Sequence, residues 1–121
     1  MRLGLPIILS LACLVCSCRT GPKAETYDQL RTRLATELRA VTTEDGVDEA
    51  EANVIAQSYF LRFGPGCGYA ADVTDGGPVW ISAAHVGYAG VPTREPIRID
   101  KRTGRVTWEN GPTVDDPHSI L

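Results

Sequence analysis

The sequence predicts an α+β fold in which two N-terminal helices pack on one face of a three- to four-stranded antiparallel sheet. Between residues 27 and 63, apolar side chains recur twice at helical spacing. From residue 67 onward, period-two alternation and clusters of turn residues replace that spacing. Helices first and strands afterwards is the order of this class rather than of alternating βαβ units. A third observation divides the chain. Its first 18 residues, of 121, hold a single charge, Arg2, and three of the four cysteines.

That first segment reads as a leader. Arg2 is a minimal positive start, and Leu3 to Val15 is almost wholly apolar. The run is shorter than the roughly 20 residues a membrane-spanning helix needs. It has the length of a signal-peptide core and is followed by small residues. Its end, Val15-Cys16-Ser17-Cys18, resembles the bacterial lipobox, which implies lipidation of Cys18. Cys13, after Ser10-Leu11-Ala12, is the second candidate. Arg19 rather than aspartate follows Cys18. By resemblance to proteobacterial lipoproteins, this implies the bacterial cell envelope, at the outer membrane facing the periplasm.

The expected parts are a signal peptide over 1–17, a lipidated tether over 18–25, a domain over 26–109 and a loose tail over 110–121. Loss of 17 residues, Arg2 among them, leaves 104 residues with 11 basic and 15 acidic side chains, a net −4. Lipid on Cys18 leaves Cys67 without an intramolecular partner. Without lipid, a Cys18–Cys67 disulfide is open to the chain in an oxidising envelope.

The first helix is expected over about 27–41. Thr26-Tyr27-Asp28-Gln29 fits a capping box, and Tyr27, Leu30, Leu34, Leu38 and Val41 form its stripe. The second is expected over about 47–63. Val47, Ala50, Val54, Ser58 and Leu61 form one stripe, and Ala52, Ile55, Ala56, Tyr59 and Phe63 an adjacent one. So wide an apolar surface predicts deeper burial than for the first helix. Asp48, Glu49 and Glu51 suit its positive N-terminal end, and Gly64-Pro65-Gly66 stops it.

A short strand is expected over 67–73, then a turn at Thr74-Asp75-Gly76-Gly77-Pro78. Val79 to Val86 reads as the best strand, followed by a Gly/Pro-marked loop through Gly87, Gly90 and Pro92. Pro96 to Asp100 and Arg105 to Trp108 read as a hairpin around Lys101-Arg102-Thr103-Gly104. Ile97, Ile99, Val106 and Trp108 point inward and Gly104 takes a left-handed conformation.

A hydrophobic share of 43% excludes wholesale disorder, and a net charge of −3 argues against a nucleic-acid-binding face. Gly64-Pro65-Gly66-Cys67-Gly68 has a helix before it and a strand after it, the reverse of a phosphate loop, with no lysine nearby. Cys67 and His85 are a nucleophile–base pair only if their strands bring them together; a small buried cysteine and a strand histidine is the ordinary reading. His85 and His118 lie far apart and no metal-ligand spacing occurs in the mature chain. Neither a metal nor a cofactor is expected.

Two charge clusters stand out. Glu44, Asp45, Asp48, Glu49 and Glu51 are acidic; Arg94, Arg98, Lys101, Arg102 and Arg105 gather near the final hairpin. Each is a solvated face or a surface that steers a protein partner. Among the aromatics Tyr69, Trp80, Tyr88 and Trp108, most are expected in the core, with one or two exposed near the Gly-rich loop. Tyr88 and the five basic residues are the candidate partner-binding set.

Three stretches carry a resemblance: Trp80-Ile81, Val86-Gly87-Tyr88-Ala89-Gly90, and Ile97-Arg98-Ile99-Asp100-Lys101-Arg102-Thr103-Gly104-Arg105-Val106. With the helix Glu49 to Phe63, they are similar to NTF2-fold immunity proteins and also to PepSY-like domains. The resemblance covers residues 47–108. It implies a non-catalytic module that binds a toxin, or one that inhibits or regulates an envelope protein. NTF2-like folds also include isomerases and dehydratases. By that resemblance His85, Asp72, Asp100 and Tyr88 are candidates to line a small-molecule pocket.

Overall fold

The structure, a computed structural model, describes residues 25–87 and 89–121. The expected leader, the lipobox-like run with Cys18, and Tyr88 lie outside the described residues. Helix α1 spans Tyr27–Arg39. Its capping box is made as the sequence predicts: Gln29 N donates to Thr26 Oγ1 at 3.1 Å, and Thr26 N to Gln29 Oε1 at 3.0 Å. Leu34, Leu38 and Val41 are buried, whereas Tyr27, one turn from the chain's described start, is 61% exposed.

Helix α2 spans Glu49–Phe63 and has a second capping box, between Asp48 and Glu51. Ala52, Ile55, Ala56, Ser58, Tyr59 and Phe60 are all buried, so α2 is the central element, as its wide apolar surface predicts. Ala50 and Leu61, from the other expected stripe, stay exposed and half-buried.

Among the described residues seven short strands follow: β1 Gly68–Ala70, β2 Thr74–Asp75, β3 Val79–Ser82, β4 Ala84–Val86, β5 Val91–Pro92, β6 Ile97–Asp100 and β7 Val106–Thr107. All pairing is antiparallel. The α+β class is as expected, but the strands divide into two sheets, of order β1-β4-β5 and β2-β3-β6-β7. The expected single strand Val79 to Val86 is broken at Ala83, and the expected turn begins two residues late because Thr74 and Asp75 pair with Ile81 and Trp80.

A bulge causes the break. Between the pairs Ala70–Ala84 and Thr74–Ile81, residues 71–73 stand opposite only residues 82–83. The extra residue bends the hairpin from one sheet into the other. Ser82 Oγ donates to Ala71 O at 2.6 Å, Ala71 N to Ala83 O at 2.9 Å, and Val73 N to Asn53 Oδ1 of α2 at 2.8 Å. The bulge is thereby pinned to the helix.

The β6–β7 hairpin forms as predicted. Ile97, Ile99 and Val106 are wholly buried and Trp108 nearly so. Gly104, with φ +77°, turns the chain where a Cβ would press on Pro117. Trp108 meets Tyr59 edge-on, with ring centroids 6.1 Å apart, and Phe60 at 6.1 Å.

The expected loose tail is a packed one. Val114 exchanges both backbone hydrogen bonds with Val106, at 2.8 and 2.9 Å, and so covers the free side of β7. Pro117, in a short 3₁₀ turn over Pro117–Ser119, and Ile120 are buried. Tyr59 Oη donates to Pro112 O at 2.6 Å, and burial pushes its pKa up to about 12. Arg62 Nη1 donates to the carbonyls of Ser119 and Ile120. Short apolar residues among prolines and acids give no periodic signal, so this packing is invisible to pattern reading.

Candidate functional site

The three-stranded sheet turns one face to α2 and the other outward. Ala84, buried, and Ala70 and Val86, packed on the core, face inward. Strand alternation therefore sends Tyr69 and His85 outward, and their pairing places them side by side. His85 is in turn paired with Pro92 on β5. The outer face thus carries a row, Tyr69–His85–Pro92, across three strands. Tyr69 is 53% exposed, and Val91, next to Pro92, is 57% exposed.

The row is built rather than loose. The rings of Tyr69 and His85 are stacked, with centroids 4.6 Å apart and planes 8° from parallel. His85 Nδ1 lies 2.9 Å from the carbonyl oxygen of Gly90. A carbonyl only accepts, so Nδ1 carries a proton and the ring is locked against the loop 87–90. Gly90 N donates to Gly87 O at 3.1 Å and closes that loop.

Across this sheet Cys67 is one position before the Gly68–Val86 pair, diagonal to His85 rather than opposite it. No hydrogen bond joins the two, and Cys67 is a free thiol among the described residues. Asp100 belongs to the other sheet. It accepts from Arg102 N at 2.8 Å and Thr103 N at 2.9 Å. The Thr103 amide foremost holds its carboxyl below the usual range. Asp72 sits exposed in the bulge. The structure does not bring His85, Asp72 and Asp100 to one pocket wall: one is on the outer face of the first sheet, one in the bulge, one capping the β6–β7 turn.

The five basic candidates do gather about the second sheet, but four meet acids. Arg94 lies 3.3 Å from Glu109, Arg98 3.6 Å from Glu95, Lys101 2.6 Å from Asp75 and Arg105 2.9 Å from Asp115. Lys101 Nζ also stands 4.5 Å over the Trp80 ring, whose Nε1 donates to Val47 O at 2.8 Å. The hydrogen bond from Lys101 foremost holds the Asp75 carboxyl below its usual range. Arg102 is exposed and enters no ion pair among the described residues. This region is charge-balanced rather than a single-sign field.

The acidic cluster is largely structural too. Asp48 and Glu51 cap α2, Glu51 Oε2 also accepts from Thr42 N at 2.9 Å, and Asp45 accepts from the Thr42 hydroxyl at 3.2 Å. Among the described residues no group of three or more His, Cys, Asp or Glu is placed to hold a metal ion. No described helix is long and apolar enough to cross a membrane.

Sequence reading passed over Pro92 and His85 as neighbours of Tyr69. The signal that unites them is strand register, in which Tyr69 pairs with His85 and His85 with Pro92. Comparison with protein-family models, with curated proteins and with solved structures finds no match to this chain.

Proposed function

We propose that the protein is a small bacterial envelope lipoprotein, anchored through Cys18, whose α+β domain binds another protein without catalysing a reaction. We read it as an immunity protein that neutralises a toxin. The observation that carries the binding reading is the outward row Tyr69–His85–Pro92 with Val91 beside it. Large apolar and aromatic side chains held rigid and half-exposed are the usual anchors of protein interfaces. The histidine is committed to Gly90 O and to the tyrosine ring, Asp100 is committed to the β6–β7 turn, and Asp72 stands in the bulge away from both, which supports a binding role over acid–base chemistry.

The regulatory reading of PepSY type rests on one observation, the Ile97–Val106 hairpin with its Thr103-Gly104 turn. The two readings differ in the partner. Expression of the full chain should protect cells against a toxin encoded in the neighbouring reading frame, and Tyr69→Ala should lose that protection at unchanged thermal stability. Binding to a resident envelope protein, with no protection, decides for regulation. The anchor is tested separately: Cys18→Ser should abolish lipid labelling and move the protein out of the membrane fraction. Unchanged fractionation removes the anchoring claim.

A further inference from the structure

Of the four sheet edges among the described residues, three are closed and one is open. The free side of β7 is covered by Val114. The β2 edge is two residues long and carries the charged Asp75. On β5, Thr93 N donates to Ala84 O, so the alternation of an antiparallel ladder turns the Pro92 nitrogen toward the open side. Proline has no N–H to offer there, which blocks strand addition.

The edge of β1 has no such guard. Ala71 N donates to Ala83 O, which fixes the alternation: Tyr69 bonds inward to β4, while the N–H and C=O of Ala70, and the C=O of Gly68, which lies opposite the Tyr69 N–H in one trans peptide, face outward. Among the described residues, neither Gly68 nor Ala70 makes a side-chain hydrogen bond that would spend those groups. Beside this edge runs a groove of about 220 Å³, walled by Leu30 and Leu34 of α1, by Gln57, Phe60 and Leu61 of α2, and by β1 itself. No lining residue is charged.

We propose that the β1 edge and this groove are the docking line for an extended segment of the partner protein. The proposal rests on the protein-binding reading above and extends its surface from the Tyr69–His85–Pro92 face to the adjoining edge. The segment adds as a fourth strand to the β1-β4-β5 sheet, bonding the N–H and C=O of Ala70 and the C=O of Gly68. An uncharged, apolar side chain of the segment enters the groove, because a charge there meets no counter-charge and loses its water. Backbone bonds supply affinity and the groove selects the side chain, as in strand addition generally. The bulge at residues 71–73 ends the free edge and so limits the register of the added strand.

The test uses the full mature chain and end-blocked hexapeptides in which Val, Leu or Phe alternates with Thr, followed by amide exchange. Docking should slow exchange of the Ala70 amide. Methylating the backbone nitrogens of the peptide should weaken binding at least tenfold. Ala70→Pro removes one outward N–H without touching a bond to β4, and should weaken binding at least tenfold. Leu61→Glu, at a half-buried groove position, should do the same and keeps the test decisive if the proline variant fails to fold. Three results overturn the proposal: no peptide of the set protects Ala70 at millimolar concentration; both variants bind as well as the parent; or Ala70 is protected only through concentration-dependent self-association, which makes the occupant a second copy. Toxin protection that survives both variants also removes the β1 edge while leaving the protein-binding reading intact. Peptide docking at β1 without protection supports the edge and removes the immunity reading.

Discussion

The Nε2 of His118 lies 2.7 Å from the carbonyl oxygen of Val41 and ties the C-terminal turn to the end of α1. On its other side Nδ1 lies 3.1 Å from Asp116 Oδ1. Both partners only accept. A neutral ring, with one N–H, satisfies one of them, and the imidazolium satisfies both. The Val41 carbonyl foremost, with the Asp116 carboxylate and against the effect of burial, raises the His118 pKa above its ordinary value.

A pKa raised in the folded state stabilises the fold fully below the unfolded value and ceases to do so as pH rises through the folded one. The domain should therefore lose stability over the range above about pH 6.5, the ordinary histidine value, as pH rises through the raised folded one. The His118 side chain is 39% exposed, so solvent screens the interaction and the loss should be about 1 kcal/mol or less. Thermal midpoints across that range should show the step in the parent and a flatter profile in His118→Ala. An equal step in both removes the assignment.

Gly68→Ala should destabilise the domain by about 1–3 kcal/mol. Gly68 has φ +114°, and a Cβ there would run into the carbonyl of His85. The strand must shift, and the Tyr69–His85 stack with it. Urea unfolding measures the cost. A variant as stable as the parent would show that β1 does not hold this close approach to β4.

Deleting residues 114–121 should cost about 3 kcal/mol or more, the sum of burying Ile120 and of several hydrogen bonds. Val106 N loses its acceptor, and Arg62 its two carbonyls. Denaturant unfolding of the truncated chain is the measurement. An unchanged midpoint would restore the tail to a loose appendage.

Both helices and the final hairpin were legible because their signals are local. Thr26 and Gln29 lie one turn apart, as do Asp48 and Glu51, so each capping box is readable from spacing. Ile97, Ile99 and Val106 alternate, and Gly104 follows a turn sequence. The division of Val79 to Val86 was not legible. Its residues are uniformly compatible with one strand, and the break arises from a register mismatch with residues 71–73 across the hairpin. The candidate site follows the same rule: Tyr69 is one of four aromatics whose sequence places most of them in the core, Tyr88 is the aromatic the sequence offers for binding, and His85 and Pro92 join Tyr69 only through pairing.

By itself the sequence determined the class, the capped start of α1, the hairpin turn and the apolar face that α2 buries. It also supplies the apolar, leader-like segment and the lipobox-like Cys18 on which the envelope proposal stands. The tertiary structure decided that the strands form two sheets, that the tail is packed, that the basic residues meet acids, and which sheet edge stays open. The reason is range. Capping and periodicity act within one or two turns of chain, whereas ion pairs such as Lys101–Asp75 and contacts such as His118–Val41 exist only after residues distant in sequence have been brought together.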